Sequence, residues 1–243
     1  MNAVLITGAT SGIGYQLAVD YAKDGWQVIA CGRNHQTLQV LQHAHPQQIF
    51  PLAFDITDAA QTKTVLDDLP FVPSLWVLNA GDCEYIDDGK MDAALFARVI
   101  NINVIGLANC IEGLQHHLVQ GHRLAIVGSI ASEIALPRAE AYGASKAAVS
   151  YLARTLALDW QAKGIAVSTI FPGFVSTPLT DKNTFSMPMM VSTEYASQAI
   201  RQGLAKGKSN IYFPARFTSI LRVIGSLPYA WQGKLVSALL NRS

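Results

Sequence analysis

Downstream of Glu194 this 243-residue chain contains no aspartate or glutamate. Charge is sparse throughout, at 14% of residues, whereas half the residues are hydrophobic, which excludes a disordered, solvated chain and allows a sizeable core. The formal net charge of +1 gives no general attraction to nucleic acid, and no nucleic-acid partner is expected. That balance hides an asymmetry. Seven of the 18 basic residues (Arg201, Lys206, Lys208, Arg216, Arg222, Lys234 and Arg242) follow Glu194, leaving 11 against 17 acidic residues before them. Cysteine is scarce too. Cys31, Cys83 and Cys110 are odd in number, widely spaced and without a C-x-x-C pair, so reduced thiols are expected rather than a disulfide framework. "MNAVLITG" leaves no room for a secretory leader ahead of the glycines, and no uninterrupted apolar stretch reaches membrane-spanning length. The expectation is a soluble cytoplasmic protein.

What is present is alternation. Short, nearly continuous apolar runs fall at 3–7, 26–31, 49–54, 74–79, 123–129, 165–172 and 210–213, as expected of strands buried on both faces of a parallel sheet. Helical patterns lie between them at 12–24, 34–44, 58–68, 91–119, 139–163 and 193–206. With no linker, repeat or low-complexity tract, the pattern predicts one doubly wound α/β domain over 1–243. Ligands of such folds gather at the carboxyl ends of the strands.

The first predicted strand runs into "TGATSGIG", residues 7–14, with glycines spaced G-x-x-x-G-x-G. Glycines at such a turn let backbone N–H groups approach a pyrophosphate at a helix N-terminus. Gly8, Thr10, Ser11, Gly12, Ile13 and Gly14 are therefore candidate cofactor contacts; a ligand-free glycine turn is the alternative. The second strand ends "ACGRN", without the carboxylate that usually takes the ribose 2′-hydroxyl of NAD. Arg33, followed by Asn34, suits a 2′-phosphate, so NADP(H) is favoured over NAD(H). If Arg33 only stacks on the adenine or starts the next helix, either cofactor remains open. Asp55 and Ile56, after the third strand, are placed to meet the adenine, and Asp58 is a helix N-cap.

"AEAYGASKAAV", 139–149, sets Tyr142 and Lys146 four residues apart on one helix face. Alone, the pair reads equally as two amphipathic side chains at a buried edge. Together with "TGATSGIG", "NAG" at 79–81, "NVIG" at 103–106, Ser129, "YGASK" at 142–146 and "PGFVST" at 172–177, however, the chain resembles the short-chain dehydrogenase/reductase family from residue 3 to about 213. The resemblance implies a Rossmann domain of about seven parallel strands flanked by helices on both faces. It implies a tetrad of Asn103, Ser129, Tyr142 and Lys146. Tyr142 exchanges the proton, its pKa lowered by the Lys146 ammonium. Lys146 also bonds the nicotinamide ribose, Ser129 holds the substrate oxygen, and Asn103 holds a water behind Lys146. Asn101 is a rival to Asn103 by composition, and a local hydroxyl–backbone turn is the alternative for Ser129. Asn79, Ala80 and Gly81 join the cofactor contacts, as do Pro172, Gly173, Val175 and Thr177 beside the nicotinamide. Gly128 stands where a serine is frequent in the family and Ser132 where a glycine is common, which puts substrate-loop geometry in doubt.

The remaining signals are weaker. His43 with His45 and His116 with His117 lack a fitting ligand set, and adjacent histidines should diverge on a helix, so no metal is expected. Cys83 follows the "NAG" turn and is read as an inert thiol. A substrate flap at about 178–192 carries Phe185, Met187, Met189 and Met190, which suits an apolar ligand. A helical extension at 215–243 bears an apolar stripe of Phe217, Ile220, Leu221, Ile224 and Leu227, which packs on a partner subunit, over the cleft, or on a membrane. The expected activity is NADP(H)-dependent hydride transfer to or from a small carbonyl or secondary alcohol, in a homodimer or homotetramer. The alternative is a nicotinamide-binding sensor or scaffold docked through its basic tail.

Overall fold

The computed structural model describes residues 2–87, 89–180 and 187–240, with side chains as far as 236. Seven parallel strands form one sheet in the order β3-β2-β1-β4-β5-β6-β7. They are β1 (Ala3–Thr7), β2 (Gln27–Gly32), β3 (Ile49–Ala53), β4 (Leu75–Leu78), β5 (Arg123–Val127), β6 (Ala166–Pro172) and β7 (Asn210–Phe213). Every residue of β1 and β4 is buried, which is why these strands read as unbroken apolar runs. Leu5 of β1 lies opposite both Ile29 of β2 and Trp76 of β4. The order reverses between β1 and β4, so the loops leaving these two strands part and open a crevice.

Side-chain alternation along β1 divides the core. Val4 and Ile6 face α1 (Gly12–Lys23), α2 (His35–Ala44) and α7 (Thr193–Ala205). Leu5 faces the opposite layer of α3 (Ala59–Asp67), α5 (Gly106–Leu114) and α6 (Glu140–Gln161). Side-chain caps start α2 (Asn34), α3 (Asp58) and α7 (Ser192), each accepting from the backbone N–H three residues on. Across the first layer Ser197 donates to Asp20 at 2.6 Å, and Arg201 bonds Asp24 and lies near Asp20.

The expected helix at 91–119 is not one regular helix. α4 (Ala93–Ile100), capped by Asp92, passes through a π turn at Asn101–Ile105 into α5, and Gln115–His117 close as a 3₁₀ turn. The π turn carries Asn103 inward to 2% exposure, while Asn101 stays exposed. This decides between the two asparagines. The run Ala93–His117 has a mean hydropathy of 1.6 over its most apolar stretch and is long and apolar enough to cross a membrane by length and composition alone, although Arg98 and Glu112 interrupt it. Its buried Val99, Leu107, Cys110 and Leu114 pack into the sheet layer or against neighbouring helices. The tight 3₁₀ turn also corrects the expectation for His116 and His117. Their rings do not diverge but lie 3.8 Å apart, with His117 Nε2 donating to the Leu66 carbonyl oxygen and the ring stacked on Trp76. Among the described residues no three metal-ligating side chains come together.

Two helices follow β7, α8 (Ala215–Gly225) and α9 (Tyr229–Leu240). Leu221, Ile224 and Val236 pack on Ile130 and Ile134, with Phe217, Tyr212 and Leu136 at the edge. Ile220 is not part of the buried stripe. Thr218 takes the inward position instead, its hydroxyl donating to the Pro214 carbonyl, and Ile220 faces outward. The three cysteines are buried and joined by no disulfide, and burial pushes the Cys110 thiol up to about 12 and Cys31 well above its usual value.

Asn103 ties the π turn to the chain leaving β4. Its Oδ1 accepts from the Asp82 N–H at 2.7 Å, and its Nδ2 donates to the Asp82 carbonyl at 2.8 Å. Replacing Asn103 with Ala leaves both Asp82 groups without this partner and should lower the unfolding free energy by about 1–3 kcal/mol, as read from urea denaturation. A loss under about 0.5 kcal/mol, within the range of ordinary surface substitutions, would show that water serves those groups equally well.

Candidate functional site

The turn after β1 is held against the end of β4. The Thr7 hydroxyl accepts the N–H groups of Asn79 and Ala80 at 3.0 and 3.1 Å, and Asn79 Nδ2 returns to the Thr7 and Gly8 carbonyls. No space remains for side chains at these glycines. A Cβ on Gly14 would stand 2.3 Å from the Gly8 carbonyl oxygen, and one on Gly8 2.9 Å from Ala80 Cα, with Gly8 at φ 67°. Ser11 precedes α1 but, unlike the caps of α2, α3, α4 and α7, its side chain bonds no N–H of its helix. The first N–H groups of α1, at Gly12 and Ile13, are thus open to an anionic ligand. This cradle fits the pyrophosphate expected from the sequence.

A cavity of about 130 Å³ extends from the cradle past the ends of β2 and β3. Gly8, Thr10, Ser11, Gly32, Arg33, Asp55, Ile56, Ala80 and Gly81 line it, which brings the glycine loop together with the expected contacts after β2, β3 and β4. The Arg33 side chain is 70% exposed and pairs loosely with Asp55 at 3.5 Å. Asp55 is itself fixed by Thr57, whose N–H and hydroxyl both donate to Oδ1. Those bonds and the Arg33 guanidinium hold the carboxyl below its usual range against the opposing effect of burial. Asn34 serves as the α2 cap, accepting from the Thr37 N–H. Ile56 approaches so closely that a Cβ on Gly106 would lie 2.7 Å from it, which explains the glycine of "NVIG".

The four tetrad residues come from three elements and meet beside this cavity. Ser129 follows β5, Tyr142 and Lys146 project from α6, and Asn103 comes from the π turn. Lys146 is 6% exposed and donates to the Val127 carbonyl at 3.0 Å, with Nζ 5.8 Å from the centre of the Tyr142 ring. Burial pushes its pKa from 10.5 down to about 8, opposed by neighbouring Cys83. The expected lowering of the Tyr142 pKa is not found. Burial of the phenol raises it well above 10, Cys83 adds to the rise, and the hydrogen bond with Ser129 counters it. The Lys146 ammonium, 5.8 Å from the ring centre and bonded to Val127, does not outweigh the burial of the phenol. Ser129 accepts from the Ala131 N–H at 3.1 Å while also bonding Tyr142, so the local turn and the contact to the tyrosine coexist. Ser132 donates to the Ser129 carbonyl at 2.7 Å, and a Cβ on Gly128 would be 3.2 Å from the Ile170 carbonyl oxygen; both departures from the family pattern thus fit locally.

Sequence reasoning missed Thr7, Ser145 and the Asp82 backbone. Ser145 is fully buried, accepts from Asn103 Nδ2 at 2.9 Å and donates to the Tyr142 carbonyl at 2.7 Å. The Asn103 carboxamide is therefore engaged by both Asp82 and Ser145. A serine between Tyr142 and Lys146 on the helix, facing inward, was the available signal. Beyond β6, Pro172 and Gly173 turn the chain, and Gly173 lies against Phe217. Val175 pairs with Val191, and Thr177 sits over the glycine loop, its Cγ2 3.1 Å from where a Gly12 Cβ would be. Of the flap side chains, Met189 and Met190 are exposed, Met187 is partly buried, and Phe185 lies outside the described residues.

A family model described as short chain dehydrogenase matches residues 2–187. The chain is 32% identical over 235 residues to an uncharacterized oxidoreductase of Myxococcus xanthus, covering 93% of each chain. It is 33% identical over 189 residues to sulfoacetaldehyde reductase 2 of Chromohalobacter salexigens, covering 74% of this chain and 75% of that one. In fold, a short chain dehydrogenase from Burkholderia cenocepacia solved in complex with NADP superposes with a TM-score of 0.84, at 22% identity and 97% coverage of both chains.

The buried lysine gives stability a pH signature. Below about pH 8 the Lys146 ammonium is charged in folded and unfolded chains alike, and its burial opposes folding in full. Between about 8 and 10.5 the folded chain releases a proton that the unfolded chain keeps, so stability rises with pH. The unfolding free energy of the parent chain should therefore climb relative to Lys146→Met between pH 7 and 10, approaching a gain on the order of 3 kcal/mol. Parallel curves would show that the ammonium is solvated.

Proposed function

The chain belongs to the short-chain dehydrogenase/reductase family, and on that premise we propose that it is an NADP(H)-dependent oxidoreductase acting on a carbonyl or secondary alcohol. The observation that carries the reading is the meeting of Ser129, Tyr142 and Lys146 next to an uncapped helix N-terminus and its glycine cradle. The preference for NADP(H) rests on Arg33, largely exposed at the end of β2 where no carboxylate follows to repel a 2′-phosphate. The NADP held by the similar Burkholderia cenocepacia protein points the same way.

When bound, the nicotinamide supplies or accepts the hydride. The protein's own part is to hold the substrate oxygen and manage a proton. The hydroxyls of Ser129 and Tyr142 take the carbonyl oxygen between them. A phenol is protonated at neutral pH, and burial only reinforces this, so Tyr142 rests in the protonated state that carbonyl reduction needs. As negative charge grows on the substrate oxygen, Tyr142 gives up its Oη proton, and the Lys146 ammonium, held by the Val127 carbonyl, stabilises the phenolate left behind. Asn103 and Ser145 hold α6 in register for this exchange. Ile130, Ile134, Leu136, Phe174 and Phe217 lie around the segments that follow Ser129 and Gly173, which favours an apolar substrate. Exposed Ile105, Tyr151 and Leu158, on the π turn and α6, support assembly as a homo-oligomer.

Tyr142→Phe should reduce turnover of a ketone panel with NADPH by about two to four orders of magnitude while NADPH binding persists. Activity surviving that change would overturn the role of the phenol, and NADPH binding with no turnover by the parent chain would favour a sensor. Arg33→Ala should weaken NADPH binding about 10- to 150-fold, the range for a charge-assisted bond, and NADH binding far less. Equal losses would remove Arg33 from the 2′-phosphate.

A further inference from the structure

The family match ends at residue 187, and the chain beyond Glu194 is a basic tract without an acidic residue. Its last two described helices are firmly seated on their inner sides. Leu221, Ile224 and Val236 pack on Ile130 and Ile134, and Gln232 Nε2 donates to the carbonyls of Gly225 and Leu227, locking α9 to α8. Their outer sides are unusual. Along α8, Arg216, Ile220 and Val223 recur at helical spacing and are exposed, Val223 to 65%. Along α9, Trp231, Lys234 and Leu235 do the same, with Trp231 63% exposed and Tyr229 90% exposed at the turn between the helices. The other exposed apolar face, around Tyr151 and Leu158 on α6, carries Asp159 beside Arg154 and has no such single sign.

We propose that the outer faces of α8 and α9 dock on an anionic lipid bilayer. Aromatic side chains at an exposed turn suit the headgroup layer, where the ring is buried and the polar edge stays wet. Ile220, Val223 and Leu235 supply apolar area for the acyl boundary, and Arg216 and Lys234, one beside each apolar set, meet the phosphates. With no carboxylate side chain anywhere in the tract, nothing on these helices repels an anionic surface. Placement adds a consequence. Phe217 of α8 lies against Gly173, and the inner side of α8 packs on the residues directly after Ser129, so docking brings the wall of the reaction cleft to the lipid.

Flotation of the full chain with phosphatidylcholine vesicles, with and without phosphatidylglycerol, tests this without substrate or cofactor, so it stands apart from the proposed reaction. The chain should float with the anionic vesicles at low ionic strength, not with phosphatidylcholine alone, and less as salt rises. Arg216→Gln and Lys234→Gln should each weaken binding about fivefold. The double substitution Val223→Asp, Trp231→Asp should abolish flotation while leaving the melting temperature and ketone reduction unchanged. A parent chain that stays at the bottom with anionic vesicles overturns the proposal, as does undiminished flotation of the double variant. So does light scattering that shows an oligomer which the double variant splits, since the face would then join copies of the chain.

Discussion

The close approach of the β1 turn to the end of β4 is the constraint on which the rest of the site depends. One hydroxyl, that of Thr7, accepts two backbone N–H groups of the incoming chain, and Asn79 answers with its carboxamide. Glycines at 8 and 14 are what allow the approach, since a methyl group at either would meet backbone atoms well inside contact distance. From this junction hydrogen bonds run outward. Two residues past Ala80, the Asp82 backbone is clasped by Asn103, Asn103 reaches Ser145, and Ser145 bonds the Tyr142 carbonyl. The loop that shapes the cradle and the helix that carries Tyr142 and Lys146 are thereby joined through side chains rather than through the sheet alone.

Against that rigid frame the electrostatics are costly to the fold. A lysine nearly without exposure has its pKa drawn down to about 8, and a tyrosine beside it has its own pushed up, both by burial. Each shift records a charged form that the fold disfavours. Perturbed neighbours of this kind gather at functional sites because the arrangement serves a reaction rather than stability. A protonated phenol next to a weakly held ammonium proton is the arrangement that the proposed proton transfer requires.

The sheet was legible because its strands read as short, nearly continuous apolar runs separated by helical patterns, as strands of a parallel sheet covered on both faces do. The glycine loop and the Tyr142–Lys146 spacing were legible for a similar reason, since backbone crowding and a shared helix face leave marks in residue type. The π turn was not. Nothing in "NINVIG" distinguishes an extra residue per turn from a regular helix, and only the inward swing of Asn103 reveals it. Thr7 and Ser145 escaped notice because small hydroxyl residues are common, and Asn79, Ala80 and Asn103, whose N–H groups they accept, lie far away in sequence. The direction of the Tyr142 shift was misread because spacing reports which groups are neighbours, whereas desolvation depends on everything packed around them. Ile220 fits an apolar stripe by spacing but turns outward, because the inner face of α8 closes on Thr218 and its bond to Pro214.

The central claim is that this cradle and this phenol serve a direct hydride transfer. Reduction of an apolar ketone with NADPH carrying deuterium at C4 tests it most directly. Mass spectrometry of the product alcohol should find the deuterium of the transferred position on the former carbonyl carbon, one per turnover, with the hydroxyl proton drawn from solvent. A product without deuterium, or NADPH bound and returned unchanged across a broad ketone panel, would contradict the account.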